Sequence, residues 1–167
     1  MKIKTHNIFF AAVCISIIIA FSPALAARAH YSFYLNGPSI SKHFDPYHRQ
    51  FKDFHPGIGG EFYFYSGRLL WGFHGHFMIK DSRNNSAYWT GFVVGWSLGN
   101  KNKMWFEPFI IIGGIKKNEY NGGKFGPFAL PVLSVGYKRI GFNLCYIPKL
   151  RRVTYPILLV QIKVRLV

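Results

Sequence analysis

The chain of 167 residues predicts an all-β fold, an eight-stranded antiparallel β-barrel set in an outer membrane. Three observations lead there. Segments of about 9 to 12 residues alternate apolar with small or polar side chains, the period-2 signature of a strand with one greasy face, and that length lets a tilted strand cross a bilayer. Short and long connections alternate between those segments, as in a barrel with short turns on one side of the membrane and long loops on the other. Beyond residue 26, no apolar run is long enough for a membrane helix.

Residues 1–26 read as a secretory signal peptide: Lys2 and Lys4 are the basic start, residues 8–21 the apolar stretch, and Ala24-Leu25-Ala26 a small-x-small cleavage site. The apolar stretch is shorter than a spanning helix needs, which favours cleavage over an anchor. Residues 27–167 then form the barrel.

The first candidate strand covers residues 30–40, with Tyr31, Phe33 and Leu35 on one face. The second, 57–65, groups Ile58, Phe62 and Phe64. In the third, 69–80, Trp71, Phe73, Phe77 and Ile79 alternate with His74, His76 and Met78. The fourth, 87–98, aligns Tyr88, Thr90, Phe92, Val94, Trp96 and Leu98. The fifth is 104–114 and the sixth 126–137. In the seventh, 140–147, Ile140, Phe142, Leu144 and Tyr146 alternate with Gly141, Asn143 and Cys145. In the eighth, 155–166, Leu158, Val160, Ile162, Val164 and Leu166 alternate with Gln161, Lys163 and Arg165. Leu166 takes the terminal slot where such strands commonly carry an aromatic residue, with Val167 as an extra.

Short turns fall at 66–68, 99–103 and 138–139, and long loops at 41–56, 81–86, 115–125 and 148–154. Short turns on the periplasmic side, long loops outside and an even strand count place both termini in the periplasm. The soluble alternative is a lipocalin-like barrel, whose apolar face points inward under a polar exterior. Here the polar members of the alternation are too few and too small to make that exterior.

The net charge is +15, from 21 basic and 6 acidic residues. So basic a chain raises nucleic acid as a partner. Export, 19% aromatic content and the absence of a basic helix exclude it in favour of lipid headgroups, including lipopolysaccharide phosphates. The long loops and their edges concentrate the cations, among them Lys42, Arg49, Lys52, Lys80, Arg83, Lys116, Lys117, Lys124, Lys149, Arg151 and Arg152. Lys and Arg pair well with phosphate, although edge protection and solvation account for many of them. Cys145 is the one cysteine outside the signal peptide, so no disulfide framework exists, and the alternation turns it into the lumen as a small space-filler.

Two constellations could carry chemistry. Lys80-Asp81-Ser82 closes the third strand at the outer side, where His43 also falls. A histidine can serve as general base to a serine while a carboxylate holds its tautomer, so His43, Asp81 and Ser82 could converge at the mouth. Asp-Ser is also a common turn starter, and His48 and His55 compete with His43. His74 and His76 lie two apart on the lumen face; without a third ligand pattern they read as polar filling, and no metal or other cofactor is implied.

From His43 onward, the chain resembles the outer-membrane lipid A palmitoyltransferases of the PagP type. The strongest match is LPVLSVGYKRIGFNLCYIP, where a Leu-Pro, a Ser-Val-Gly-Tyr turn and a Tyr-Ile-Pro keep the family's order. The second is HFMIKDSRNNSAYWTGFVVGW. A looser third is His43 followed by Gly57-Ile58-Gly59-Gly60. The resemblance implies transfer of a palmitoyl-type chain from a phospholipid donor to a lipid A acceptor by a monomer. His43 would be general base, Asp81 its orienting carboxylate, and Ser82 nucleophile or hydrogen-bond donor. It makes Pro131 and Pro148 the edges of a lateral lipid opening, with Pro38 and Pro56 as a second candidate, and Gly95 the floor of a hydrocarbon pocket. The family's leading amphipathic helix has no counterpart, since only Ala27, Arg28 and Ala29 precede strand-like sequence. Two other functions stay open: acyl-ester hydrolysis with water as acceptor, and a non-catalytic barrel that stiffens the membrane or binds a partner through its basic loops.

Overall fold

The computed structural model describes residues 30–44, 51–118, 120–148 and 156–167. The signal peptide assignment lies outside the described residues, as do His48, Arg49, Lys149, Arg151 and Arg152.

Eight long strands follow one another as β1 (His30–His43), β2 (Gly57–Ser66), β3 (Leu69–Met78), β4 (Ala87–Trp96), β5 (Met104–Lys116), β6 (Gly126–Tyr137), β7 (Ile140–Ile147) and β8 (Ile157–Arg165). Each pairs antiparallel with the next, and β1 pairs with β8 from Tyr34↔Arg165 to His43↔Ile157, which closes the barrel. Two-residue segments, Phe54–His55 and Leu98–Gly99, add short pairings to β1 and β5. Closure removes the sheet edges that hydrocarbon would leave without hydrogen-bond partners.

The alternation sorts the side chains as the sequence predicts. Phe33, Phe73, Phe77, Ile110, Ile112, Phe142 and Ile162 are exposed on the outer face, while Asn36, Glu61, His74, Glu107, Asn143, Gln161 and Lys163 are buried within. An apolar outside around a polar inside defines a membrane barrel and rules out the lipocalin-like arrangement. Tyr31, Trp96 and Tyr137 lie exposed near the short turns, where an aromatic girdle meets the headgroups.

Three ladders are irregular, and each irregularity falls at a proline. The β1–β8 register slips between Asn36 and Ser39, across Gly37 and Pro38, and the β1–β2 ladder stops at Asn36↔Gly59 before Phe54–His55 resumes the pairing. The β6–β7 ladder runs from Tyr137↔Ile140 only to Val132↔Cys145, so it ends one position before Pro131, whereas β5 pairs with β6 through Pro131 without a break. Proline carries no backbone N–H, so a ladder position that needs one lapses there.

Candidate functional site

The barrel interior decides what the mouth can serve. Glu61 on β2 gathers side chains from four other strands, β1, β3, β7 and β8. Its Oε1 accepts from Asn36 at 3.0 Å, from His74 Nδ1 at 3.1 Å and from Asn143, and its Oε2 takes the Lys163 ammonium at 2.6 Å. Trp89 Nε1 donates to His74 Nε2 at 2.9 Å; the indole can only donate, so the His74 proton sits on Nδ1 and points at Glu61. Gln161 bonds His76 at 3.0 Å. The two lumen histidines thus bind carboxylate, indole and amide groups, and among the described residues no group of three or more His, Cys, Asp or Glu could hold a metal.

Toward the short turns, Tyr34, Tyr63, Trp105 and Phe109 surround Lys163, whose ammonium lies 4.2 Å from the Tyr34 ring centroid. Lys101 reaches in from its turn to Glu107 and bonds the Tyr34 hydroxyl at 2.8 Å. An interior cavity beside His74, Trp89, Ile111 and Cys145 is about 20 Å³. That holds about one water molecule, so an acyl chain does not fit in it.

At the outer mouth, His43, Asp81 and Ser82 are all buried. Asp81 Oδ1 accepts from the backbone N–H of Arg83 at 2.8 Å and of Asn85 at 2.9 Å, while Asp81 N–H donates to Asn85 O at 2.7 Å. Asn84 completes the tight loop in the left-handed region, φ 64°, which asparagine tolerates. Lys117 Nζ stands 3.5 Å from Asp81 Oδ2. The carbonyl of Ser82 accepts Lys52 N–H at 2.9 Å, which ties the first loop to the second. The His43 ring stacks on Phe51 with centroids 4.4 Å apart, and the Arg83 guanidinium lies 5.3 Å from the centroid of the Phe51 ring. These contacts fasten loops to one another.

Ser41 brings two histidines together at the same mouth. Ser41 Oγ lies 2.7 Å from His55 Nε2 and 3.5 Å from His43 Nδ1. His55, a rival to His43 in the sequence, comes into place because Phe54–His55 pairs with Ser39 and Ile40 beyond the Pro38 break. Burial holds the His55 imidazole below its usual pKa, and the neighbouring Lys117 and His43 push the same way. Phe51 and Lys117 carry no motif, so only the packing reveals them.

Gly95 faces inward, and a Cβ there would stand 2.3 Å from Pro108 O and 2.4 Å from Phe109 Cβ. The position is a close approach between β4 and β5. Pro131 and Pro148 are exposed at the outer end of the β6–β7 seam.

No family model matches this chain, and no curated protein matches it. Among solved structures, it is similar to the outer membrane protein Ail of Yersinia pestis in a phospholipid bilayer nanodisc, with a TM-score of 0.43 and 11% identity over 81% of this chain and 98% of that one. It is similar also to Ail, the attachment invasion locus protein of Yersinia pestis, in complex with the heparin analogue sucrose octasulfate. That TM-score is 0.36, with 12% identity over 81% of this chain and 97% of that one. At that level the likeness is one of barrel architecture.

The chain is a small outer-membrane β-barrel. The narrower expectation, an acyltransferase of the PagP type, is corrected. The two solved barrels are both Ail, and the cavity beside His74 and Trp89, at about 20 Å³, is too small for an acyl chain. The resemblance rested on a hairpin and an Asp-Ser loop, both of which a narrow barrel uses for its own construction.

Proposed function

We propose that this protein is a non-catalytic outer-membrane barrel whose basic outer rim binds the phosphate groups of lipid A. The charge distribution of that rim carries the reading. Lys42, Lys52, Lys80, Arg83, Lys116 and Lys124 are exposed at the long-loop end. Among the described residues there, Asp53 is the exposed acid, while Asp81 is buried within its own loop. The rim also has support beneath it: the Asp81 turn, the Ser82–Lys52 bond and the Phe51 stack hold the cations on an ordered platform. Anchored cations facing a phosphate-bearing leaflet gain charge-assisted hydrogen bonds at little ordering cost.

The test uses the full chain folded into vesicles of diphosphorylated lipid A and into vesicles of dephosphorylated lipid A. Stronger retention of the phosphorylated form is expected. Each cation removed in Lys42→Gln, Lys80→Gln and Arg83→Gln should weaken it about fivefold. Equal retention of both forms would refute the reading. Lipid A from cells with and without the protein should have the same mass; an added acyl chain would overturn the non-catalytic assignment.

A further inference from the structure

At the opposite end of the barrel, an apolar hollow opens on the lipid-facing surface. It is an open groove of about 680 Å³, lined by Met104 and Phe106 of β5, Val135 and Tyr137 of β6, and Ile140 and Phe142 of β7. The register makes it one continuous surface: Met104 pairs with Tyr137 and Tyr137 with Ile140, while Phe106 pairs with Val135 and Val135 with Phe142. Its floor is the backbone of the paired Gly136 and Gly141, with the Trp105 ring packed behind them on the lumen side. The volume falls within the range of small-ligand sites.

The aqueous edge of this hollow is cationic and held in place. Lys138 N–H donates to Lys103 O at 2.7 Å, which joins two periplasmic turns. Trp105 Nε1 donates to Lys138 O at 3.0 Å, and Arg165 N–H to Arg139 O at 2.7 Å, so the turn is fixed from both sides. Lys103, Lys138 and Arg139 are exposed, and the Lys138 ammonium lies 5.3 Å from the ring centroid of Tyr137, itself a wall of the hollow. Among the described residues no acid is exposed at this end: Glu61 and Glu107 are buried in the lumen, and Asp53 and Asp81 belong to the outer mouth.

We propose that this hollow is a binding site for an anionic glycerophospholipid of the inner leaflet. Its acyl chains would lie in the apolar hollow and its phosphate against Lys103, Lys138 and Arg139. The apolar wall alone would accept any lipid. The three cations at headgroup depth supply the preference, since each basic side chain near a membrane surface adds attraction for anionic lipid.

Native mass spectrometry of the full folded barrel, released from mixed micelles of phosphatidylglycerol and phosphatidylethanolamine with identical chains, tests the site. Wild type should retain phosphatidylglycerol preferentially. Lys138→Gln with Arg139→Gln should lower that preference by about fivefold per cation, while Arg68→Gln, at another periplasmic turn, should leave it intact. Val135→Trp, which fills the hollow without touching a charge, should reduce retention of both lipids. Heat-modifiable gel mobility identifies the folded species before each measurement. Equal retention of the two lipids by wild type would overturn the proposal. So would an unchanged preference in the Lys138/Arg139 variant, or a lipid-free dimer as the retained species.

Discussion

The Lys163 ammonium lies 2.6 Å from the Glu61 carboxylate, and both side chains are fully shielded from solvent. The two residues are 102 positions apart. Removing one partner strands a buried charge. Lys163→Met should therefore destabilise the folded barrel by about 3–5 kcal/mol, whereas Glu61→Leu combined with Lys163→Met should recover most of that loss. Urea unfolding in lipid vesicles, followed by tryptophan fluorescence, measures both. Equal destabilisation by the single and double variants would contradict the pairing.

Acid should loosen the outer mouth. The His55 pKa is lowered by burial first and by Lys117 and His43 next, with Asp81 and the Lys80 backbone opposing. A depressed folded value means that the unfolded chain takes up the proton first. The contribution of His55 is thus fully present above its unfolded value of about 6.5 and is lost as pH falls through the lower folded value. Protection against hydrogen exchange around Ser39 and Ser41, taken relative to the intrinsic rate at each pH, should fall as pH drops from 7 to 5. His55→Gln should flatten that dependence, and an unchanged slope in the variant would assign the effect to another group.

Asp81 should matter to loop order. Its Oδ1 accepts two backbone N–H groups, so Asp81→Ala leaves both without their acceptor, at about 1–3 kcal/mol if they stay buried. Limited proteolysis of the barrel in vesicles should cut between residues 81 and 86 faster in the variant, with lipid A mass unchanged. Asp81→Asn, which keeps an acceptor oxygen, should fall between the two.

Gly95→Leu should lower the folded yield. Its Cβ would stand 2.3 Å from Pro108 O, a backbone atom that cannot yield without opening the β4–β5 ladder. The gel-mobility assay reports the folded fraction. A fully folded Gly95→Leu barrel would show that the strands can separate there at little cost.

Much of the barrel was legible in the chain because period-2 alternation is a local property. The sixth and seventh candidate strands, 126–137 and 140–147, agree residue for residue with β6 and β7. Strand ends were less legible. β1 continues to His43, past the expected end at 40, because β8 supplies partners up to Ile157. β4 ends at Trp96, short of 98, because the ladder breaks at Ser97 before Leu98–Gly99 resumes it, in the same register, against Phe106 and Trp105. At the mouth, the sequence placed His43, Asp81 and Ser82 at one end, where all three are buried, whereas the Ser41–His55 contact follows from the slip at Gly37 and Pro38, which no local pattern marks. The misread activity has the same root. Whether a barrel can hold an acyl chain depends on how Tyr34, Tyr63, Trp105 and Phe109 fill its interior from different strands.

The sequence by itself determined the strands, their greasy and polar faces, the sidedness of the turns and the basic character of the long loops. Each follows from the spacing of side chains along an extended backbone. Tertiary structure alone decided which polar groups meet across the lumen, how little space they leave, and which turns bring Lys103 beside Lys138. Those relationships depend on the register with which the sheet closes, and closure joins residues that no local pattern connects.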